Sequence, residues 1–217
     1  MPIIRVNQKV GYFVHIPKCG GTSIEHYLHR VCQSVGFLDP EYLDHPPRTL
    51  WNRSSPQHID ALSLSRLFRR SDFFDFTFAV VRHPYARFLS AFKHQRDREK
   101  RIAPEVGPED FADELFKLGA GSIEPGWMDN HFLPMVNFFI RSTPVHLFKL
   151  EQGLEPFHRW FETKILSKAS GVDLPRTNEG VAQPDTDARD ELTADAKRKL
   201  FEIYRSDFEQ FGYSQFA

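Results

Sequence analysis

Hydrophobic and polar residues at the start of the chain follow first a strand pattern and then a helical one. Residues 10–16 (VGYFVHI) are apolar, aromatic or β-branched and end at Pro17, which predicts a buried strand. Apolar side chains then recur at helical spacing from residue 23 to residue 35. The chain therefore opens with a strand, a short loop and a helix.

A second strand and helix repeat this order further along the chain. Residues 73–82 (FFDFTFAVVR) predict a strand, and Pro84 begins a helix that is amphipathic at first and charged towards residue 101. Between the two units, residues 56–70 predict another helix, with Ser55 as its N-cap.

The rest of the pattern completes an alternation of strands and helices. It predicts helices over 127–141 (with a break near Pro134), 153–168 and 191–210, a strand over 145–150, and loops over 102–110 and 171–190. Such alternation favours an α/β fold with a P-loop-like central parallel sheet flanked by helices on both faces. We expect a single domain over residues 1–217, with ligands at the carboxyl ends of the strands.

Composition narrows the classes of function. The chain is 41% hydrophobic and 14% aromatic, which excludes intrinsic disorder as its main state. Its net charge is −1, yet residues 1–100 carry 15 Lys and Arg against 9 Asp and Glu. This uneven charge favours one local anion site over a basic nucleic-acid-binding surface. The chain has two cysteines and no long apolar run, so we expect a cytoplasmic protein without a membrane span.

The loop PKCGGTS (17–23) has the features of a phosphate cradle. It joins the carboxyl end of the first strand to the start of the first helix, where backbone N–H groups lack partners and the helix dipole is positive. Glycines let the backbone approach a ligand, while a lysine and two hydroxyls add charge and donors. The candidate binding residues are Lys18, Cys19, Gly20, Gly21, Thr22 and Ser23.

The second strand ends in a similar candidate anion site. Arg82 closes the strand, and Ser90 lies two turns into the following helix, with Arg87 one turn earlier on a neighbouring face. An arginine fork at a strand end with a helix hydroxyl above it suits a phosphate monoester.

The two segments HIPKCGGTSIE (15–25) and VVRHPYARFLSAF (80–92) together carry a family resemblance. The chain resembles the sulfotransferases that use 3′-phosphoadenosine 5′-phosphosulfate (PAPS), and most closely their carbohydrate-sulfotransferase branch. The resemblance implies that Lys18 to Ser23 hold the 5′-phosphosulfate and that Arg82 and Ser90 hold the 3′-phosphate. It implies PAPS as co-substrate, with no metal required.

The implied reaction moves a sulfuryl group to an acceptor hydroxyl or amine. A carbohydrate is the expected acceptor, and a lipid or small molecule remains open. Lys18 would stabilise the charge that grows on the leaving oxygen. A general base must take the acceptor proton, and the sequence leaves three candidates open. His58 is preferred because a helix start would keep its imidazole neutral, Glu25 lies one turn past the loop, and His131 is the third.

Other residues are candidates for weaker reasons. His131, Arg176 and Asn178 are proposed acceptor contacts, the last two because the family's C-terminal loop often closes over its ligands. Cys19 is expected to have a lowered thiol pKa inside the loop. His26, His29 and Cys32 have ligand spacing on one helix but lack a fourth partner, so no metal site is expected.

Two other functions remain open at this point. A nucleotide kinase or other phosphotransferase could use the same strand–loop–helix plan, although the loop lacks the G-K-[ST] of the kinase pattern. A non-catalytic protein could also keep the nucleotide site without the chemistry.

Overall fold

The computed structural model describes residues 2–45, 49–68, 71–140, 143–174 and 191–215. In chain order the strands are β1 (Ile3–Val6), β2 (Lys9–Val14), β3 (Ser34–Gly36), β4 (Phe76–Val81) and β5 (His146–Lys149). The helices are α1 (Gly21–Val31), α2 (Ala61–Leu67), α3 (Pro84–Asp97), α4 (Pro108–Leu118), α5 (Glu155–Trp160) and α6 (Ala194–Phe211). A π-helical turn, Phe161–Leu166, continues α5.

The strands form one sheet in the order β3-β1-β2-β4-β5. The three strands predicted from the sequence, β2, β4 and β5, pair in parallel, which confirms the predicted α/β fold with a P-loop-like sheet. Two short strands, β1 and β3, extend the sheet by antiparallel pairing. The sequence analysis missed them because segments of four and three residues carry too little hydrophobic pattern to read.

Side chains on neighbouring positions of the central strands pack into two separate cores. Phe13 and Phe78 contact α1, α5 and the π-helical turn on one face of the sheet. Tyr12 and Val14 face the other core, which α2, α3, α4 and α6 cover. This period-two alternation buries both faces of the sheet and confirms helices on each side.

Two predicted helices differ from what the structure contains. The helix predicted over 56–70 is a 3₁₀ turn, Pro56–His58, followed by α2, because Asp60 accepts a hydrogen bond from Ser63 N at 3.0 Å and caps a new helix. The helix predicted over 127–141 is two 3₁₀ turns, Trp127–Asn130 and Met135–Phe138.

The turn Trp127–Asn130 departs from helical geometry because Met128, Asp129 and Asn130 all have positive φ angles, between 45° and 62°. Such a left-handed run is costly for residues with side chains, so surrounding contacts must hold it.

The sequence analysis also missed the helix α4. Its first residues, Pro108 to Asp110, lie at the end of the predicted 102–110 loop.

The C-terminal helix α6 fixes the segment that follows this left-handed turn. Tyr204 donates its hydroxyl hydrogen to the Phe132 carbonyl at 3.0 Å. Asp207 accepts hydrogen bonds from the backbone of Met135 at 2.8 Å and Val136 at 2.9 Å. Hydrogen bonds from α6 therefore hold residues 132–136, which directly follow the candidate residue His131.

Candidate active site

The loop 17–23 lies between β2 and α1, as the sequence predicts, and its backbone makes a tight left-handed turn. Lys18 has φ 68° and Gly20 has φ 81°. Gly20 is also the N-cap of α1 and makes no side-chain capping bond to the first N–H groups of the helix. This is the geometry in which a helix start binds an anion.

Both glycines of the loop are required by their surroundings. A Cβ on Gly21 would lie 1.8 Å from Nε2 of His15, which is far closer than two nonbonded atoms can approach. A Cβ on Gly20 would lie 3.0 Å from Cδ1 of Leu150, in addition to the strain of its positive φ. The loop backbone therefore packs directly on His15, and only glycine permits this approach.

Lys18 and Arg82, which the sequence analysis placed in separate anion segments, meet in the structure. Arg82 Nη1 donates a long hydrogen bond, 3.5 Å, to the Lys18 carbonyl. Burial and the positive charges of Arg98 and Arg82 lower the pKa of the Lys18 ammonium to about 8. Positive charges collected in this way favour a bound anion, which would relieve their mutual repulsion.

The other loop side chains are placed differently from one another. Cys19 is only 1% exposed and packs into the hydrophobic core, and burial raises the pKa of its thiol to about 12. The expected lowering of that pKa is therefore wrong, and Cys19 can contribute to a ligand site through its backbone alone. Ser23 is buried, Thr22 is exposed, and Ser90 lies partly exposed on α3.

Arg87 has a role that the sequence analysis did not identify. It is 2% exposed, and its Nε donates to the Pro17 carbonyl at 3.1 Å. Its Nη2 donates to the His131 carbonyl, also at 3.1 Å. The guanidinium thus links the glycine-rich loop to the segment that contains His131. Both of these hydrogen bonds go to backbone carbonyl groups.

His58 forms a buried pair with Asp129, whose Oδ2 lies 2.6 Å from His58 Nδ1. The helix-dipole argument for His58 is wrong, because the residue ends a three-residue 3₁₀ turn and α2 begins only at Ala61. The structure supplies a different argument, which concerns the tautomer. A carboxylate can only accept, so a hydrogen on Nδ1 points to Asp129, and in the neutral ring the lone pair is on Nε2.

Asp129 is held by more than this pair. Its Oδ1 accepts from Ser55 N at 2.7 Å, and its Oδ2 accepts from Ser55 Oγ at 2.9 Å. Burial acts to raise the pKa of Asp129, but the pairing with His58 and the bonds from Ser55 outweigh it, so the pKa lies below its ordinary value. Asn130 adds a bond from its Nδ2 to the His58 carbonyl at 2.7 Å. The sequence offered no signal for either residue.

Glu25, the second candidate base, pairs with His15 instead of standing free. Its Oε1 lies 2.7 Å from His15 Nδ1. Burial acts to raise the pKa of Glu25, but the charge interaction and hydrogen bond with His15 outweigh it and lower the pKa. Burial lowers the pKa of His15. A carboxylate already engaged by a buried imidazole is a weaker candidate for the base than His58.

His131 belongs to a group of four histidines beside the loop. The ring centroids of His15 and His58 are 4.9 Å apart, those of His58 and His131 5.4 Å, and those of His94 and His131 4.9 Å. Burial and nearby positive charges lower the pKa of His94 to about 4 and that of His131 well below its usual range. His94 and His131 are therefore neutral near pH 7.

One group of side chains in the described ranges has the arrangement to hold a metal ion. A ligand atom from each of His58, Asp129 and His131 lies within 4.8 Å of the others. Its carboxylate, however, already accepts three hydrogen bonds from Ser55 and His58, which occupy most of its about four lone-pair sites without an ion. The helix residues His26 and His29 are exposed and do not belong to this group.

The structure does not describe two of the proposed acceptor residues. Arg176 and Asn178 fall within residues 175–190, which are outside the described part of the chain. Among the residues that are described, no helix is long and apolar enough to cross a membrane.

Comparison with known proteins identifies the family. The family model described as "Sulfotransferase family" matches residues 3–214, nearly the whole chain. No curated protein and no solved structure gives a significant match. The match includes the glycine-rich loop, the Arg82 segment and the histidine group. It shows that the chain belongs to the sulfotransferase family.

Proposed function

We propose that the protein is a PAPS-dependent sulfotransferase that moves a sulfuryl group to a hydroxyl or amine of a carbohydrate acceptor. Membership of the sulfotransferase family supports sulfuryl transfer in general. The observation that carries the proposal is the contact between Arg82 Nη1 and the Lys18 carbonyl, which brings the two candidate phosphate segments into one site. A donor with phosphate groups at both ends of its ribose needs two such segments side by side.

The donor would lie across the carboxyl ends of β2 and β4. The uncapped N–H groups at the start of α1, together with Lys18 to Ser23, would hold the 5′-phosphosulfate. Arg82 and Ser90 would hold the 3′-phosphate, since a guanidinium and a hydroxyl suit a phosphate monoester. Gly20 and Gly21 fit this role because the backbone at both positions leaves no room for a side chain.

The chain's own residues supply the remaining chemistry. PAPS provides an activated sulfuryl group: a bond forms from the acceptor oxygen or nitrogen to sulfur, and the bond from sulfur to the 5′-phosphate oxygen breaks. His58 takes the acceptor proton on Nε2, while Asp129 holds Nδ1–H and stabilises the imidazolium that forms. Lys18 stabilises the charge that develops on the departing oxygen.

The acceptor side of the proposal rests on fewer contacts. His131 faces His58 and would contact the acceptor, and Arg176 and Asn178 stay predictions for the same role. We further propose a single sulfotransferase-like domain over residues 1–217 and no metal requirement. Cys19 and Cys32 are free thiols, which supports the cytoplasm as the compartment.

Calorimetric titration with adenosine 3′,5′-diphosphate tests the donor site directly. We expect binding without magnesium, weakened by about 10–100-fold in Arg82→Ala, since a hydrogen bond to a charged group contributes about 1.5–3 kcal/mol. ATP with magnesium is the comparison ligand, and Arg53→Ala is the control, because Arg53 is exposed and pairs with Glu124 at 2.8 Å.

Each other result assigns a different function. Preference for ATP with magnesium would indicate a kinase or phosphotransferase. Binding of the diphosphate with no transfer from PAPS to any of a panel of glycans, lipids and small hydroxyl compounds would indicate a non-catalytic nucleotide binder. Binding of neither nucleotide would contradict the donor site.

A further inference from the structure

Gln95 lies on α3 beneath His131 and has a side-chain environment that fixes its orientation. It is 1% exposed, and its Nε2 contacts His131 Nδ1 and lies 3.4 Å from the Met128 carbonyl oxygen. A carbonyl oxygen can only accept hydrogen bonds, so the atom that faces it must be the amide nitrogen. In this orientation the buried Gln95 Oε1 has no hydrogen-bond partner among the described residues, a cost that the contacts of Nε2 with His131 and Met128 must offset.

The orientation of Gln95 decides which nitrogen of His131 carries the proton. Because the amide N–H donates to Nδ1, that nitrogen must present a lone pair. Burial and the neighbouring charges keep the pKa of His131 well below its usual range, so the ring is neutral. A neutral ring with a lone pair on Nδ1 has its hydrogen on Nε2.

His58 has the opposite arrangement. Its Nδ1–H is held by the Asp129 carboxylate at 2.6 Å, so its Nε2 carries the lone pair. The two ring centroids are 5.4 Å apart, and a ring nitrogen of each lies within 4.8 Å of the other. One histidine that accepts and one that donates therefore lie side by side.

We propose that Gln95 is a positioning residue that fixes His131 as the Nε2–H tautomer, so that His131 donates a hydrogen bond to the acceptor atom whose proton His58 removes. The inference rests on the proposed function for its catalytic meaning, but the tautomer itself does not depend on it. Gln95 acts only through His131 and touches neither donor nor acceptor.

The arrangement has a consequence for acceptor choice. A hydroxyl oxygen has two lone pairs, so it can attack sulfur with one, accept from His131 with the other, and give its proton to His58. A neutral amine has one lone pair, which the attack consumes, and this leaves the His131 N–H without a partner. The histidine pair therefore favours transfer to oxygen over transfer to nitrogen.

Long-range ¹H–¹⁵N correlation spectra of protein labelled with ¹⁵N-histidine test the tautomer without any substrate. Signals are assigned by comparison with His131→Gln and His58→Gln. In the wild-type protein at pH 7.5 we expect His131 to be protonated on Nε2 and His58 on Nδ1. In Gln95→Glu the carboxylate accepts from Nδ1, so His131 should change to the Nδ1–H form or to imidazolium. Gln152→Glu, at an exposed position, is the control and should leave the signals unchanged.

Two results would overturn the inference: a wild-type His131 protonated on Nδ1, or a folded Gln95→Glu whose His131 signals match the wild type. The wild-type spectrum alone decides the first, even where the variant does not fold. With an acceptor in hand, Gln95→Glu should lower kcat/KM for the acceptor by at least about 10-fold, the size of one lost hydrogen bond, and leave the diphosphate Kd unchanged. If the diphosphate does not bind while the tautomers are as expected, the proposed function fails and the assignment of Gln95 stands.

Discussion

Replacing Asp129 with asparagine tests the proposed base more directly than removing His58. The change keeps the shape of the side chain and removes only its charge and one acceptor. Ser55 N is a backbone donor and lies 2.7 Å from Asp129 Oδ1, so the asparagine oxygen must take that position. The new amide nitrogen then faces His58 Nδ1 and donates to it. His58 is forced into the Nε2–H tautomer, which has no lone pair for the acceptor proton.

The expected loss follows from what a general base contributes. Proton transfer by a positioned side chain accelerates a reaction by about 10²–10⁴-fold. At 1.36 kcal/mol per factor of ten, that is about 2.7–5.4 kcal/mol of transition-state stabilisation. We expect Asp129→Asn to lower kcat by this factor and to leave the Kd for adenosine 3′,5′-diphosphate unchanged, since the hydrogen bonds of Asp129 go to Ser55 and His58.

The assay is transfer of ³⁵S-sulfate from PAPS to the acceptor found by screening, with donor and acceptor saturating. Ser55→Ala is the matched control, because it removes only the bond from Oγ to Asp129 at 2.9 Å and keeps the carboxylate on His58. Its kcat should fall by less than about 10-fold, the value of a single hydrogen bond. Circular dichroism and thermal unfolding establish that both variants are folded.

A folded Asp129→Asn with kcat within about threefold of the wild type would refute the assignment, since the inverted tautomer cannot serve as a base. In that case Glu25 becomes the candidate to test, with Glu25→Gln in the same assay.

Substitutions at Lys18, Ser90 and Gly21 test the proposed donor site and the packing of its loop. The pKa of Lys18 is lowered to about 8, so its positive charge is lost as pH rises through 8 and kcat/KM for PAPS should fall there. Lys18→Arg stays charged, so a pH–rate profile of this variant should lack the alkaline fall. Ser90→Ala should weaken adenosine 3′,5′-diphosphate by about 10-fold in calorimetry, and an unchanged Kd would remove Ser90 from the site. Gly21→Ala should destabilise the fold by about 1–3 kcal/mol in thermal unfolding, because its Cβ would lie 1.8 Å from His15. Gly36→Ala is the control: its Cβ would meet no atom within 4 Å, so it should have no comparable effect.

The predictable part of the fold was the part with long or strongly patterned segments. The strands β2 and β4, and the helices α1, α3 and α6, follow from apolar spacing with proline and glycine at their ends. The failures lie where tertiary contacts override local pattern. The segment 127–141 has helical spacing, yet Asp129 turns left-handed so that its carboxylate reaches Ser55 and His58, and the helix is lost.

The sequence by itself predicted the two candidate anion segments, because each is a contiguous strand, loop and helix start whose backbone geometry depends on nearby residues. It also offered His58 as a candidate base, though for a reason that proved wrong. Tertiary structure alone decided the partners of the histidines. Asp129 lies 71 residues from His58, and Gln95 lies 36 residues from His131. Burial and the hydrogen-bond partner together set the tautomer and the pKa of an imidazole. Tertiary packing brings these partners together from distant parts of the chain, so no local sequence pattern predicts the contact.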